Sequence, residues 1–238
     1  MILLLSPLEM ELFPLISRHE ELLRRNIAFG ELISLPEAPE EEAVPAFCIT
    51  GMGKIRSALT VSRVLGVLKA EEREPAAVIL AGIGGAAGSE ALGCVNVAKG
   101  TLQWDLGMLP FAKTEGLYPD GSGYEATDPL LSDCIAAELE RRGFSTTRGT
   151  AYTGDTFLRG VRKAHIQSPG TVDMESSSFL AAVKESGIPA AVIRIVSDEA
   201  SGRTAGNLRD FIDREIGPLW DGAIEGALTF LRRKGIVP

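Results

Sequence analysis

The sequence is short of several things, and each shortage closes off a class of function. Only three of its 238 residues are cysteine and two are histidine. Cys48, Cys94 and Cys134 are odd in number, far apart and without a Cys-x-x-Cys spacing, which argues against both a disulfide framework and a thiolate zinc site. His19 and His165 stand alone, with no second histidine at helical spacing, so they read as surface or packing residues and no metal is expected. Positive charge is scarce as well: 24 Lys and Arg against 32 Asp and Glu give a net charge of −8, with no basic patch along the chain. Nucleic acid and anionic membrane surfaces are therefore not expected partners. The longest apolar runs, 1–5 and 76–81, fall well short of the roughly 20 residues a membrane-spanning helix needs. The opening M-I-L-L-L-S-P-L-E-M-E-L-F has no basic region, and Glu9 and Glu11 come too early for the apolar stretch of a secretory leader. A soluble, cytoplasmic protein is the expectation.

What is present points to an α/β fold. With 45% hydrophobic residues the chain can bury one sizeable core, and no repeat or long linker divides it, so a single domain over 1–238 is expected. Short runs rich in Ile, Val, Leu and Ala, bounded by Gly and Pro, alternate with stretches of helical period. Strands are expected at 2–5, 46–50, 76–81, 95–103, 145–152, 170–173 and 190–196, and their continuous apolarity predicts burial on both faces. The clearest helix follows Gly53, where Ile55, Ala58, Leu59, Val61, Val64, Leu65 and Leu68 fall mostly on one side. A second opens at Thr127-Asp128-Pro129 and closes at Arg141-Arg142-Gly143. Others are expected at 176–185 and 208–233, the last interrupted or kinked at Gly217-Pro218. The proline-rich, acidic stretch 36–45 reads as a solvated loop.

Two glycine motifs invite a phosphate-binding interpretation and both fail on context. The segment from Gly82 to Gly88, G-I-G-G-A-A-G, follows a strand and matches G-x-G-x-x-A, but a dinucleotide fold would continue into an amphipathic helix, whereas Gly93 and the extended run at 95–103 come too soon. These glycines are better suited to letting a small ligand approach the backbone. T-G-M-G-K at 50–54 resembles the end of a Walker loop, yet Cys48 stands where glycine is needed and Ile55 where Ser or Thr is needed. More informative are acids at the ends of expected strands: Glu9 and Glu11, Asp173 and Glu175, and Asp198. In an open α/β sheet, ligands gather beyond the carboxyl ends of the strands, so loops far apart in sequence can converge there.

On these residues the chain resembles the nucleoside phosphorylase and nucleosidase family, in particular its methylthioadenosine/S-adenosylhomocysteine nucleosidases. The matching stations run in family order: S-P-L-E-M-E-L, T-G-M-G-K-I, G-I-G-G-A-A, Q-W-D-L-G-M, T-G-D-T-F-L, V-D-M-E and R-I-V-S-D-E-A. The resemblance implies a single-domain α/β fold with a twisted mixed β-sheet flanked by helices, assembled as a homodimer and needing no metal or organic cofactor. It implies hydrolysis of the N-glycosidic bond of a 5′-substituted purine nucleoside, its small-molecule partner. Residue by residue, Glu175 resembles the ribose-binding carboxylate and Met174 its neighbour in the sugar pocket. Asp198 resembles the acid that engages N7 of the purine, supported by Ser197, and Glu11 the carboxylate that helps activate water. Phe157 matches a residue lining the base, Leu158 one whose backbone bonds the base edge, and Leu8 part of the apolar wall. Arg194 is a candidate to orient Glu11 or the nucleophile, with a buried structural ion pair as the alternative.

The same resemblance frames the rivals. Phosphorylases of this fold surround phosphate with arginines and a serine, and the segment 78–85, V-I-L-A-G-I-G-G, offers neither. Ile83 stands where many nucleosidases have serine, which disfavours phosphate and removes a possible contact to water. Futalosine hydrolases are close relatives that tend to carry Asn at the position of Asp198, so the balance favours a 6-aminopurine nucleoside. A catalytically silent purine-binding protein is the alternative from another class.

Overall fold

The computed structural model describes residues 1–36, 45–107, 111–112, 114–156, 166, 169–199 and 206–237. In chain order the elements are β1 (Ile2–Ser6), α1 (Glu9–Ile16), β2 (Leu23–Ile27), β3 (Gly30–Ser34), β4 (Pro45–Ile49), α2 (Lys54–Ala70), β5 (Ala77–Ala86), β6 (Val95–Val97), β7 (Gly100–Gln103), β8 (Glu125–Ala126), α3 (Pro129–Arg141), β9 (Thr146–Thr147), β10 (Thr150–Thr153), β11 (Gly170–Asp173), α4 (Ser176–Lys184), β12 (Ala190–Asp198) and α5 (Leu208–Arg233). The strands form one mixed sheet in the order β2-β3-β4-β1-β5-β11-β10-β7-β8, from which β12, β6 and β9 branch at β5. The residues of the acidic stretch at 37–44 lie outside the described residues, as do His165, Phe157 and Leu158.

Strand alternation turns the continuous apolar runs into two cores. Ile2 and Leu4 of β1, Ala77, Ile79 and Ala81 of β5, and Ala191, Ile193 and Ile195 of β12 face the layer built by α1, α3 and α5. Leu3 and Leu5, Val78 and Leu80, and Ala190 and Val192 face the layer of α2 and α4. Successive side chains of a strand point to opposite faces, so a strand covered on both sides must be apolar throughout. Helix α3 begins as its sequence demands: Asp128 accepts the Leu131 N–H at 2.8 Å, and Pro129 occupies the first turn, where a missing N–H costs nothing.

The structure departs from the sequence expectations at definite places. The expected strand at 95–103 is two strands because the chain changes partners at Ala98-Lys99: β6 pairs with β12 and β9, and β7 with β10 and β8. The expected strand at 145–152 divides for the matching reason, β9 following β6 and β10 lying between β7 and β11. The strand expected at 76–81 runs on to Ala86, so most of the glycine motif is strand and not turn. Helix α5 continues through Gly217-Pro218 without interruption; Pro218 lies on the exposed side, where water can serve the carbonyl that proline leaves without a donor. Helix α1, the β2–β3 hairpin and the short β8 are not among the elements expected from the sequence. Among the described residues, no helix is long and apolar enough to cross a membrane. His19 sets its ring 6.0 Å from that of Phe47, a packing position.

Candidate active site

The site lies where β5 passes between β1, β12 and β11. Parallel pairing of β12 with β5 sets Arg194 opposite Gly82 and Asp198 opposite Gly85, with a bulge between Val196 and Asp198. Bulges re-aim a side chain locally, and this one releases Asp198 from strict alternation. The glycines of β5 are spaces for these side chains. A Cβ on Gly82 would stand 2.5 Å from Glu11 Oε1 and 2.9 Å from Arg194 Nη1, and one on Gly85 would stand 2.8 Å from Asp198 Oδ1. The close approach expected at this motif is therefore realised first by the protein's own charged groups.

Glu11 sits at the third position of α1 and is 1% exposed. Its Oε2 accepts the Ser6 hydroxyl at 2.7 Å and the Leu8 N–H at 3.1 Å, while Oε1 accepts the Ile83 N–H at 2.9 Å. The bond from the Leu8 amide is half of a capping box; leucine has no side-chain acceptor to supply the other half. Trp220 of α5 donates Nε1–H to the Glu11 carbonyl at 2.8 Å, fixing the first turn of α1 from behind. Burial pushes the Glu11 carboxyl above its ordinary range, opposed by the Ile83 amide, the Ser6 hydroxyl and the charge of Arg194. Ile83 is half-buried and packs its side chain against the core, so its contribution to Glu11 comes from the main chain. Leu8, also half-buried, is the residue before the helix.

Arg194 is fully buried and holds the carboxylates of the β11–α4 turn. Its Nε–H donates to Asp173 Oδ2 at 2.9 Å and its Nη2–H to Glu175 Oε2 at 3.4 Å. Asp173 also accepts from Thr153 Oγ1 at 2.8 Å, from the amides of Glu175 and Ser176 at 3.1 Å each, and from the Ser176 hydroxyl. That saturation makes Asp173 a structural anchor. Glu175 is different: besides Arg194 it accepts the Gly53 N–H at 3.0 Å through Oε1. Burial pushes its carboxyl up to about 7, Asp173 and Glu11 adding to the rise and Arg194 and the Gly53 amide opposing it. Arg194 Nη1 is buried and has no hydrogen-bond partner among the described residues. An unmade bond on a buried guanidinium is costly.

Asp198 is half-buried and accepts the Ser197 hydroxyl at 3.1 Å; that hydroxyl also reaches the Gly84 carbonyl at 3.4 Å. Burial raises the Asp198 carboxyl above its ordinary range, with the Ser197 hydroxyl opposing. Met174, half-buried, lies between Asp173 and Glu175. The structure thus brings Glu11, Glu175, Arg194, Ser197 and Asp198 around β5, whereas Glu9 turns outward to pair with Arg24 at 2.9 Å. Residues given no role from the sequence are Ser6, the first residue of the S-P-L-E-M-E-L station, and the amide of Gly53, for which no side-chain pattern exists. Among the described residues, no group of three or more His, Cys, Asp or Glu side chains is placed to hold a metal ion.

The chain is similar to known proteins in sequence and in fold. A 5′-methylthioadenosine/S-adenosylhomocysteine nucleosidase of Haemophilus influenzae is 27% identical over 169 residues, covering 68% of this chain and 71% of the relative. In fold, the chain superposes on the nucleosidase of that name from Campylobacter jejuni with a TM-score of 0.77, at 20% identity and 98% coverage of both chains. It also superposes on futalosine hydrolase of Helicobacter pylori with a TM-score of 0.79, at 16% identity over 94% of this chain and 97% of the other. The family model described as the phosphorylase superfamily matches residues 7–217, and the chain belongs to that superfamily.

Proposed function

We propose that this protein is a purine nucleosidase that hydrolyses the N-glycosidic bond of a 5′-substituted adenosine, releasing adenine and the free sugar. The observation that carries the proposal is the set of three carboxylates at one end of the sheet, each raised by burial, with an unspent guanidinium nitrogen between two of them. Breaking the bond builds positive charge on the ribose and negative charge on the departing purine. Asp198, raised by burial, is suited to hold a proton near N7 and give it to the leaving base, an effect typically worth about 10²–10⁴-fold. Glu175 accepts the ribose hydroxyls and opposes the growing charge with its own. Glu11, beside Ile83 and Gly82, takes the proton from attacking water in this reading.

Hydrolysis is favoured over phosphorolysis because Arg194 is already committed through Nε and Nη2 to Asp173 and Glu175, and the 78–85 segment supplies no arginine or serine for an anion. Met174, Leu8, Phe157 and Leu158 complete the sugar and base walls in this reading. A homodimer is part of the same proposal: Met52, just ahead of α2, and Ile55 and Leu59 in its first turns are 53%, 70% and 48% exposed, an apolar face suited to a second copy. The decisive experiment is chromatography of methylthioadenosine incubated with the protein, with and without phosphate. Adenine and free methylthioribose in both reactions are expected. A sugar phosphate formed only with phosphate would make the protein a phosphorylase. Release of hypoxanthine from futalosine with no adenine from methylthioadenosine would move it to that branch. Binding of adenine without any turnover would make it a silent binder.

A further inference from the structure

The T-G-M-G-K run that fails as a phosphate loop has a different use in the fold. Helix α2 starts behind Gly53, which has no side chain to cap it and adopts a φ of +89° that favours glycine. Its free amides are taken by carboxylates from other parts of the chain: the Gly53 N–H donates to Glu175 Oε1 at 3.0 Å, and the Lys54 N–H to Asp155 Oδ1 at 2.9 Å. The Lys54 side chain closes the ring. Its Nζ donates to Asp105 Oδ1 at 2.8 Å and Oδ2 at 3.0 Å and to Gln103 Oε1 at 3.1 Å, and lies 3.8 Å from Asp155 Oδ2. Asp105 Oδ2 in turn accepts the Asp155 N–H at 2.9 Å. Gly154 lies so close to the Trp104 indole that a Cβ could not be accommodated, which presses the two loops together. The ends of β7, β10 and β11 therefore meet at the first turn of α2, joining the Q-W-D, T-G-D and V-D-M-E stations to T-G-M-G-K.

We propose that Lys54 is a positioning residue: its ammonium, held between Asp105 and Asp155, fixes the first turn of α2 so that the Gly53 amide keeps Glu175 oriented toward the ribose. The ribose part of this inference rests on the nucleosidase reading; the clamp itself does not. Lys54 and Asp105 are each only 21% exposed, so the pair is shielded from the screening that makes surface pairs weak. Without the ammonium, two carboxylates would share the place of one cation, and like charges there would push the loops apart.

The test follows the Glu175 carboxyl by NMR in protein carrying carboxyl-labelled glutamate, its signal assigned by loss in Glu175→Gln. The charged groups facing it are Arg194 from β12, Asp173 from its own turn and Glu11 from α1, with the Gly53 N–H from α2. The Gly53 bond favours the charged form, so Lys54→Met is expected to raise the Glu175 titration midpoint. It should also lower kcat/KM for methylthioadenosine by about 10- to 100-fold, the scale of a small misplacement, and add no further loss in a Glu175→Gln background. Asp105→Asn should shift the midpoint the same way and serves if Lys54→Met fails to fold. An unmoved midpoint in the folded variants, or an equal loss of kcat/KM in both backgrounds, overturns the proposal. If the midpoint rises as expected while the wild-type protein releases no adenine, the clamp is supported and the nucleosidase reading falls instead.

Discussion

Around Arg194 the carboxylates are buried and each of their oxygens accepts a hydrogen bond, whereas Asp198, a few residues further along the same strand, is half-buried and takes its support from Ser197. The difference matches what the proposed function asks of each side. A group that must meet a growing positive charge serves best if it is already fixed, because orientation completed in the folded state is not lost at the moment of reaction. A group that must transfer a proton needs an atom left open to its partner and a pKa near the working pH. In the proposed function the buried side carries the fold, the sugar and the activation of water, and the half-buried side gives the proton to the base.

The largest expected effect tests the half-buried side. Asp198→Asn should lower turnover of methylthioadenosine by about 10²–10⁴-fold while leaving the melting temperature nearly unchanged; an active variant would remove the acid from the account. On the buried side the outcome should be inverted. Arg194→Met leaves Asp173, Glu175 and Glu11 without their shared cation, and breaking a buried pair typically costs about 3–5 kcal/mol. Denaturant unfolding should show that loss, and an equally stable variant would mean that the carboxylates are neutral or are held by other groups.

Smaller effects come from the glycines. Gly82→Ala places a methyl against Glu11 and Arg194, neither of which can retreat, and should destabilise the protein by about 1–3 kcal/mol. Gly85→Ala meets only the Asp198 carboxyl, which has room to swing, so its melting temperature should hold while its turnover falls; equal destabilisation by the two substitutions would erase the contrast.

A further effect concerns pH. A carboxyl raised from 4.5 to about 7 in the fold binds its proton more tightly there than in the unfolded chain. Its contribution therefore favours the folded state below 4.5, relative to high pH, and is lost as pH rises through about 7. The unliganded wild type should lose melting temperature across that interval, and Glu175→Gln should flatten the slope; parallel profiles would contradict the burial of a titrating Glu175.

Much of this was legible in the sequence where local chemistry and tertiary role agree. The apolar runs of β1 and β12, the face of α2 and the Asp128-Pro129 start of α3 all carry in their own residues the reason for their structure. Helix α1 was not legible: it has eight residues, Pro14 within it and Leu8 ahead of it, so neither length nor a polar cap announces it. The β2–β3 hairpin escaped because β2 is an edge strand with four exposed residues, L-R-R-N, and presents no apolar pattern. In the site, the carboxylates were identifiable as acids at strand ends, yet nothing in their spacing separates saturated Asp173 from Glu175. That distinction arises from Thr153, Ser176 and Arg194, which only the folded sheet assembles. Lys54 escaped because its partners stand 51 and 101 positions away.

The central claim, that Asp198 delivers a proton to the base while Glu175 stabilises the sugar, is tested most directly by changing the leaving group. Wild type, Asp198→Asn and Glu175→Gln would each be assayed on methylthioadenosine and on 4-nitrophenyl β-D-riboside, whose phenolate departs without help from an acid. Asp198→Asn should lose the first reaction and keep the second near the wild-type rate, while Glu175→Gln should lose both. If Asp198→Asn lost both reactions equally, Asp198 would not act as the acid for the base, and the division between the two sides of the site would be wrong.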